Sequence, residues 1–196
     1  MRFSVFAILV TLFAQVPQTP ATFPIPKDMH EIWPGAKLSD TDKQLLRKAV
    51  NADLRLFNEQ YQSAYTFESV DTADIDLGTL GKGVIVVLSE SPECGTGGCP
   101  IYAYVREEAR YRRVLGAKPS FALGWAFAVV KSNGAIPDLV TASHLSGDVV
   151  TLIMYRYDGS TFTRQGCENL TPKNSNATLT SWWDSSQLNV EPCAQH

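Results

Sequence analysis

Four cysteines constrain this chain more than any other feature: Cys94, Cys99, Cys167 and Cys193. Their meaning depends on compartment, and the N-terminus speaks to that. Met1 and Arg2 are followed by an apolar run over residues 3–14. One positive charge and a short apolar stretch are the layout of a secretory signal. The run is shorter than the roughly 20 apolar residues a helix needs to span a bilayer. Small residues suit cleavage after Ala14 or after Ala21. No cysteine follows the run to accept a lipid, so no membrane anchor is expected after cleavage. A secreted or periplasmic location is the expectation. An even cysteine count in an exported chain reads as two disulfides. Three pairings are open. The simplest joins sequence neighbours, Cys94 to Cys99 and Cys167 to Cys193. The glycines of Cys94-Gly-Thr-Gly-Gly-Cys99 suit a tight closed loop, because glycine takes positive φ without steric cost.

The rest of the chain reads as one α+β domain. Its 196 residues are 44% hydrophobic, enough for one core and short for two. Residues 1–21 form the signal, 22–38 an extended leader, and 39–196 the domain with a disulfide-closed C-terminal loop. Formal net charge is −3, which leaves no basic excess to hold a phosphate backbone. Nucleic acid is therefore not an expected partner.

Ser39 is a good N-cap, and Asp40 and Asp42 favour the positive end of a helix dipole. Leu45, Leu46, Ala49, Leu54, Leu56 and Phe57 then mark an amphipathic stripe to about residue 61. From residue 66 the texture is β. Val84-Ile-Val-Val-Leu88 is mostly β-branched, and Glu107-Glu108-Ala109-Arg110 separates two apolar runs as a hairpin turn. Asn133-Gly134 and Asp158-Gly159 are further turn signals between strand-like runs. The pattern predicts one helix packed on a curved antiparallel sheet of about seven strands, with two disulfides. Residues 169–181 are rich in Asn, Thr and Ser and read as a surface loop.

Two stretches resemble worn calcium-loop repeats of the FG-GAP, integrin-like kind: Asp76-Leu-Gly-Thr-Leu-Gly-Lys-Gly-Val84 and Asn133-Gly-Ala-Ile-Pro-Asp-Leu-Val140. The first keeps Asp76 and Gly81 but has Leu80 and Val84 where ligand carboxylates would stand. The resemblance implies strand–turn–strand geometry rather than calcium. More broadly, the order of signal, helix, Cys-Gly-x-Gly-Gly-Cys loop, Pro-Asp-Leu-Val and Tyr-Arg-Tyr-Asp-Gly is similar to small exported bacterial proteins of unknown function. That likeness implies no catalytic residue.

Chemistry has few places to reside. His144 lies near Ser143, Ser146, Asp138 and Asp148, the only neighbourhood from which a Ser-His-Asp set can be drawn. A triad needs convergence in space, and no Gly-x-Ser-x-Gly elbow is present. Cys94 and Cys99 lack a second close ligand pair for zinc. Asp71, Asp74 and Asp76 lack the later carboxylate a calcium loop uses, because Ile85 stands at that place. No metal and no cofactor are expected. Adjacent Glu107 and Glu108 read as a solvated turn.

Aromatic residues are the stronger signal. Tyr102 and Tyr104 alternate on one strand face and Tyr155 and Tyr157 on another, with Arg106 and Arg156 read as continuing those faces. Trp182 and Trp183 stand in the C-terminal loop. Tyr, Trp and Arg anchor protein interfaces, and flat rings stack on sugars. The expectation is an exported binding or inhibitor-type module for a protein or glycan partner outside the cytosol. The alternatives are a small secreted hydrolase using His144 and a structural envelope protein. The asparagines of Asn169-Leu-Thr171 and Asn176-Ala-Thr178 match the N-glycosylation pattern, which only a eukaryotic secretory route uses.

Overall fold

The structure is a computed structural model describing residues 25–26, 29–31, 35–89, 91, 94–95, 97–116, 122–131, 134–146, 148–173 and 185–193. The signal segment, both cleavage points, Trp182 and Trp183 lie outside the described residues. Helix α1 is Asp40–Tyr61. The strands are β1 (His30–Glu31), β2 (Asp71–Asp76), β3 (Lys82–Val87), β4 (Cys99–Glu107), β5 (Arg110–Leu115) and β6 (Ala122–Gly124). They continue as β7 (Ala126–Val130), β8 (Asp138–Ser146), β9 (Val149–Tyr157), β10 (Phe162–Pro172) and β11 (Leu188–Pro192).

These strands form two sheets. One runs β2-β3-β4-β5, with β6 paired to the start of β4. The other runs β1-β7-β8-β9-β10-β11. Every pairing described is antiparallel. The α+β class and the two disulfides stand, but the single sheet of about seven strands does not. The physical reason lies in β3 and β4, which are apolar on both faces. Val84, Val86, Tyr102 and Tyr104 face α1. Ile85, Val87, Ile101, Ala103 and Val105 face the other way and need a second cover. Phe127, Leu139, Tyr155 and Phe162 of the second sheet supply it. A layer buried on both sides needs a partner on each.

α1 begins as its sequence predicts. Ser39 Oγ accepts a hydrogen bond from the Asp42 N–H at 3.1 Å. Gln62, at φ 53°, ends the helix in the left-handed region. Leu46, Val50, Leu54 and Phe57 are buried at spacings of three and four. Each such side chain stabilises the fold by about 1.5–3 kcal/mol relative to exposure. Two helix carboxamides hold the chain as it returns. Asn51 Oδ1 accepts from the Phe67 N–H at 2.9 Å. Asn58 accepts from the Tyr65 N–H and donates to the Tyr65 carbonyl.

The expected surface leader is part of the fold. Ile25 and Met29 pack against a cluster built by Ala126, Val140, Ala142, Val150, Leu152 and Met154. The backbone of β1 pairs with β7, His30 opposite Phe127 and Glu31 opposite Ala126. Farther on, the Gly35 and Ala36 N–H groups donate to the Thr72 carbonyl at 3.1 and 3.2 Å, and the Lys37 N–H donates to Asp74 Oδ2. The described residues of this segment therefore meet both sheets.

The two stretches similar to calcium-loop repeats meet each other. The Thr79 N–H donates to the Ala135 carbonyl at 3.2 Å. Gly78 sits at φ 63°, and a Cβ there would collide with that carbonyl. Glycine is required at this crossing. Asp76 Oδ1 accepts from the Gly78 N–H and so closes the turn itself.

Both disulfides join sequence neighbours, Cys94 to Cys99 and Cys167 to Cys193. They close loops five and 26 residues apart. Loop-closure entropy assigns them about 2 and about 3.5 kcal/mol respectively.

Candidate functional site

β6 belongs to the first sheet and β7 to the second, with Trp125 between them. The Trp125 N–H donates to the Ala142 carbonyl at 2.9 Å, which marks the handover. The turn demands close packing: a Cβ on Gly124 would lie 2.8 Å from the same carbonyl, and one on Gly98 2.5 Å from Gly124. This corner gathers two candidates that lie far apart in sequence. The Cys94–Cys99 loop folds back through reciprocal hydrogen bonds between Gly95 and Gly98 at 3.2 and 3.0 Å. Its Gly97 comes to rest against His144, whose carbonyl oxygen lies 3.4 Å from where a Cβ would stand.

The His144 ring stacks on Trp125, with centroids 5.3 Å apart and planes 17° from parallel. Next to it, the β8–β9 register slips between His144 and Ser146, so Leu145 is the bulged residue. It is 63% exposed, the most exposed large apolar residue described. Bulges bend a strand and re-aim its side chains, and they are frequent beside functional sites. Leu123, on the outer side of β6, is also exposed. The corner thus combines a half-buried ring pair, with Trp125 packed on the cluster that Ile25 and Met29 also meet, and exposed Leu145.

Two members of the hydrolase set, Ser143 and Asp138, stand away from the His144 ring. Ser143 and His144 are consecutive in a strand and point to opposite faces. Asp138 lies six residues away at the other end of β8, about 20 Å at strand rise. Its carboxylate is 7% exposed and is held from both sides by Arg156, at 3.0 and 2.8 Å. Asp148 is exposed in the turn before β9, and the Ser146 side chain lies outside the described residues.

The aromatic face turns inward. Tyr102 and Tyr104 are 5% and 1% exposed and lie beneath α1. Tyr104 donates its hydroxyl to Asp53 Oδ2 at 2.7 Å, and Arg113 approaches the same carboxylate at 3.2 Å. Burial, joined by the Asp53 charge, pushes the Tyr104 phenol well above its usual range. Burial raises Tyr102 likewise. Arg106 does not stand free either. Its Nε donates to Asp42 at 2.6 Å, and its guanidinium covers the Tyr111 ring. Tyr155 is buried between the sheets, and Tyr157 packs at the margin of the same cluster. Arg156 lies on the opposite face, not on theirs, because adjacent strand residues alternate. The cause of the inward turn is α1, which needed an apolar surface and took this one.

Among the described residues, no three His, Cys, Asp or Glu side chains gather as a metal set. Asp74 and Asp76 serve the backbone instead, as described above. Glu107 is engaged by Arg110 at 2.7 Å and Arg112 at 2.6 Å, which hold its carboxyl below the usual range. Arg112 also reaches the Ser160 carbonyl and so ties the β4–β5 hairpin to the β9–β10 turn. A groove of about 410 Å³ opens where the two glycine-bearing loops meet, lined by Asp76, Gly78, Val129, Lys131 and Pro137. It is remote in the sheet from the corner.

Sequence reasoning missed Trp125, Leu123 and Leu145. The nearest signal was the position of Trp125 between two short strand-like runs. Neither the kink nor the bulge is visible without the pairing. Both disulfides fit an oxidising compartment. Among the described residues, no helix is long and apolar enough to cross a membrane. Compared with family models, curated proteins and solved structures, the chain matches none.

Proposed function

We propose that the protein is an exported binding or inhibitor-type module whose contact surface is the corner formed by Leu123, Trp125, His144, Leu145 and the Cys94–Cys99 loop. The observation that carries this reading is the stacked ring pair beside a bulged, 63% exposed leucine. An exposed apolar side chain beside an aromatic pair suits recognition. The partner class is a protein or glycan outside the cytosol.

The reading is tested by placing a photo-crosslinking residue at Leu145, with a second variant at Glu59 on the exposed side of α1. Irradiation of the exported full chain in its own cells should give one discrete adduct from position 145 and none from position 59. The Leu145 adduct should disappear when excess unlabelled wild-type protein is present and persist with excess L145D. Adducts from position 59 alone, or none competed by wild type, would reject the corner as the contact surface.

A further inference from the structure

We propose that Cys167–Cys193 is a thiol-exchange site in which Cys167 is the leaving group and Arg164 its counter-ion, whereas Cys94–Cys99 is inert. The two bridges sit in opposite electrostatic surroundings. Arg164 Nη2 lies 2.9 Å from Cys167 Sγ. The Cys94 sulfur instead faces the Leu88 and Ser89 carbonyl oxygens at 3.0 and 3.3 Å, and the Cys99 sulfur faces Ser89 at 3.9 Å. A guanidinium stabilises a departing thiolate, and carbonyl oxygens oppose one.

The placement of Arg164 is a product of the strand's irregularity. In a regular strand, residues three apart point to opposite faces. The β9–β10 register slips between Arg164 and Gly166: Arg164 stands opposite Tyr155 and Cys167 opposite Ile153. Those partners are two apart on β9, so Arg164 and Cys167 share a face. The bulge brings the cation to the sulfur. Among the described residues, three further ionisable groups stand near the bridge. Tyr155 on β9 is kept protonated by burial. Glu168 follows on the opposite face of β10, and Glu191 stands on β11 opposite Asn169. The Asn169 carboxamide oxygen lies 3.4 Å from Cys193 Sγ.

The reductant is a dithiol. Its thiolate attacks Cys193 Sγ. A sulfur–sulfur bond to the reductant forms, the Cys167–Cys193 bond breaks, and the electron pair leaves on Cys167 beside Arg164. The second thiolate of the reductant then attacks its own sulfur in the mixed disulfide. The reductant leaves oxidised by two electrons as a disulfide, and the Cys193 thiolate takes a proton from solvent. Reduction frees the chain at the end of β11, an edge strand of its sheet.

The test is native reduction of the full folded chain by dithiothreitol, quenched with an alkylating agent and mapped by peptide mass. In wild type, Cys167 and Cys193 should be labelled before Cys94 and Cys99. R164Q should slow that step about three- to tenfold, as expected for loss of one adjacent opposite charge, and R164K should stay within about twofold. Circular dichroism establishes that the variants are folded. In the reduced protein, alkylation of Cys167 should titrate below the ordinary thiol value of about 8.5, and R164Q should return it there. Equal rates in wild type and R164Q, or earlier labelling of Cys94 and Cys99, would overturn the proposal. So would a rate that follows global unfolding as urea is added.

Discussion

The surface beneath α1 and the corner at Trp125 are built from the same kinds of residue, yet one is core and the other is surface. Under the helix, Tyr104 and Arg113 converge on Asp53, and Arg113 covers the Tyr102 ring. At the corner, Trp125 and His144 stack beside exposed Leu145. Residue type does not separate these regions. What lies opposite does. The tyrosines line strands that a 22-residue helix must cover to bury its own stripe. The corner is where one sheet hands over to the other, and there the two rings are half-buried while Leu145 stays exposed. An aromatic strand face next to an amphipathic helix is a docking surface already taken.

The comparison can be broken most severely at the helix. Leu54→Ala should destabilise by about 2–5 kcal/mol, read as a lower urea midpoint, because a side chain 2% exposed leaves a cavity under α1. Asp53→Ala should cost about 1–3 kcal/mol, since it leaves the buried Tyr104 hydroxyl without its acceptor. An unchanged midpoint in either variant would mean that α1 does not cover this face. Alkaline titration sharpens the same point. The folded state raises the Tyr104 and Tyr102 phenols, so the stability they contribute is complete below the usual value of 10.0. It declines as pH rises beyond that, because the unfolded chain ionises first. Phenolate absorbance should therefore appear in two parts, the exposed tyrosines first and Tyr102 and Tyr104 only with unfolding. A single smooth titration would put these rings in water.

The corner should respond in the reverse manner. L145D should move the urea midpoint by no more than about 0.5 kcal/mol, as surface changes usually do, yet remove partner crosslinking. A large loss of stability would make Leu145 a core residue instead. The smallest effect is expected on acidification. Asp42 and Glu107 carry lowered carboxyl values because Arg106 and the pair Arg112 and Arg110 hold them. Their contribution is present above the unfolded carboxylate range and is lost as pH falls through the folded values. Both are partly open to solvent, so added salt should blunt the acid limb of a melting curve. A limb indifferent to salt would argue against these pairs.

Much of the fold was legible where one local rule decided it. The N-cap at Ser39 and the turn at Asp158-Gly159 are local and stand where their residues indicate, while the α1 stripe holds Leu46, Leu54 and Phe57 but buries Val50 in place of Leu56. The second sheet was not legible, because it answers a demand from the far side of β3 and β4. The strands β2 and β11 read as polar and bury few residues, Ile75 and Leu188 among them. Only pairing with a neighbour makes them strands. The candidate site depends still more on pairing. His144 and the glycine loop were visible separately, but their meeting is a tertiary event. The same holds for Arg164 and Cys167, which a regular strand would separate.

The strap that pairs with β7 at His30 and Glu31 has a consequence for how the molecule is born. A ribosome delivers His30 long before Phe127, its partner across the sheet. At about 5–20 residues per second, the strap waits roughly 5–20 s for the strand it will cover. During that interval the earliest part of the domain to emerge is without its β7 partner. Once β7 arrives, its outer edge stays open to any extended segment nearby until the strap docks. The first-made strand of the domain thus pairs with one made much later. Its docking covers that edge alone, and β11 remains the edge on the far side of the same sheet.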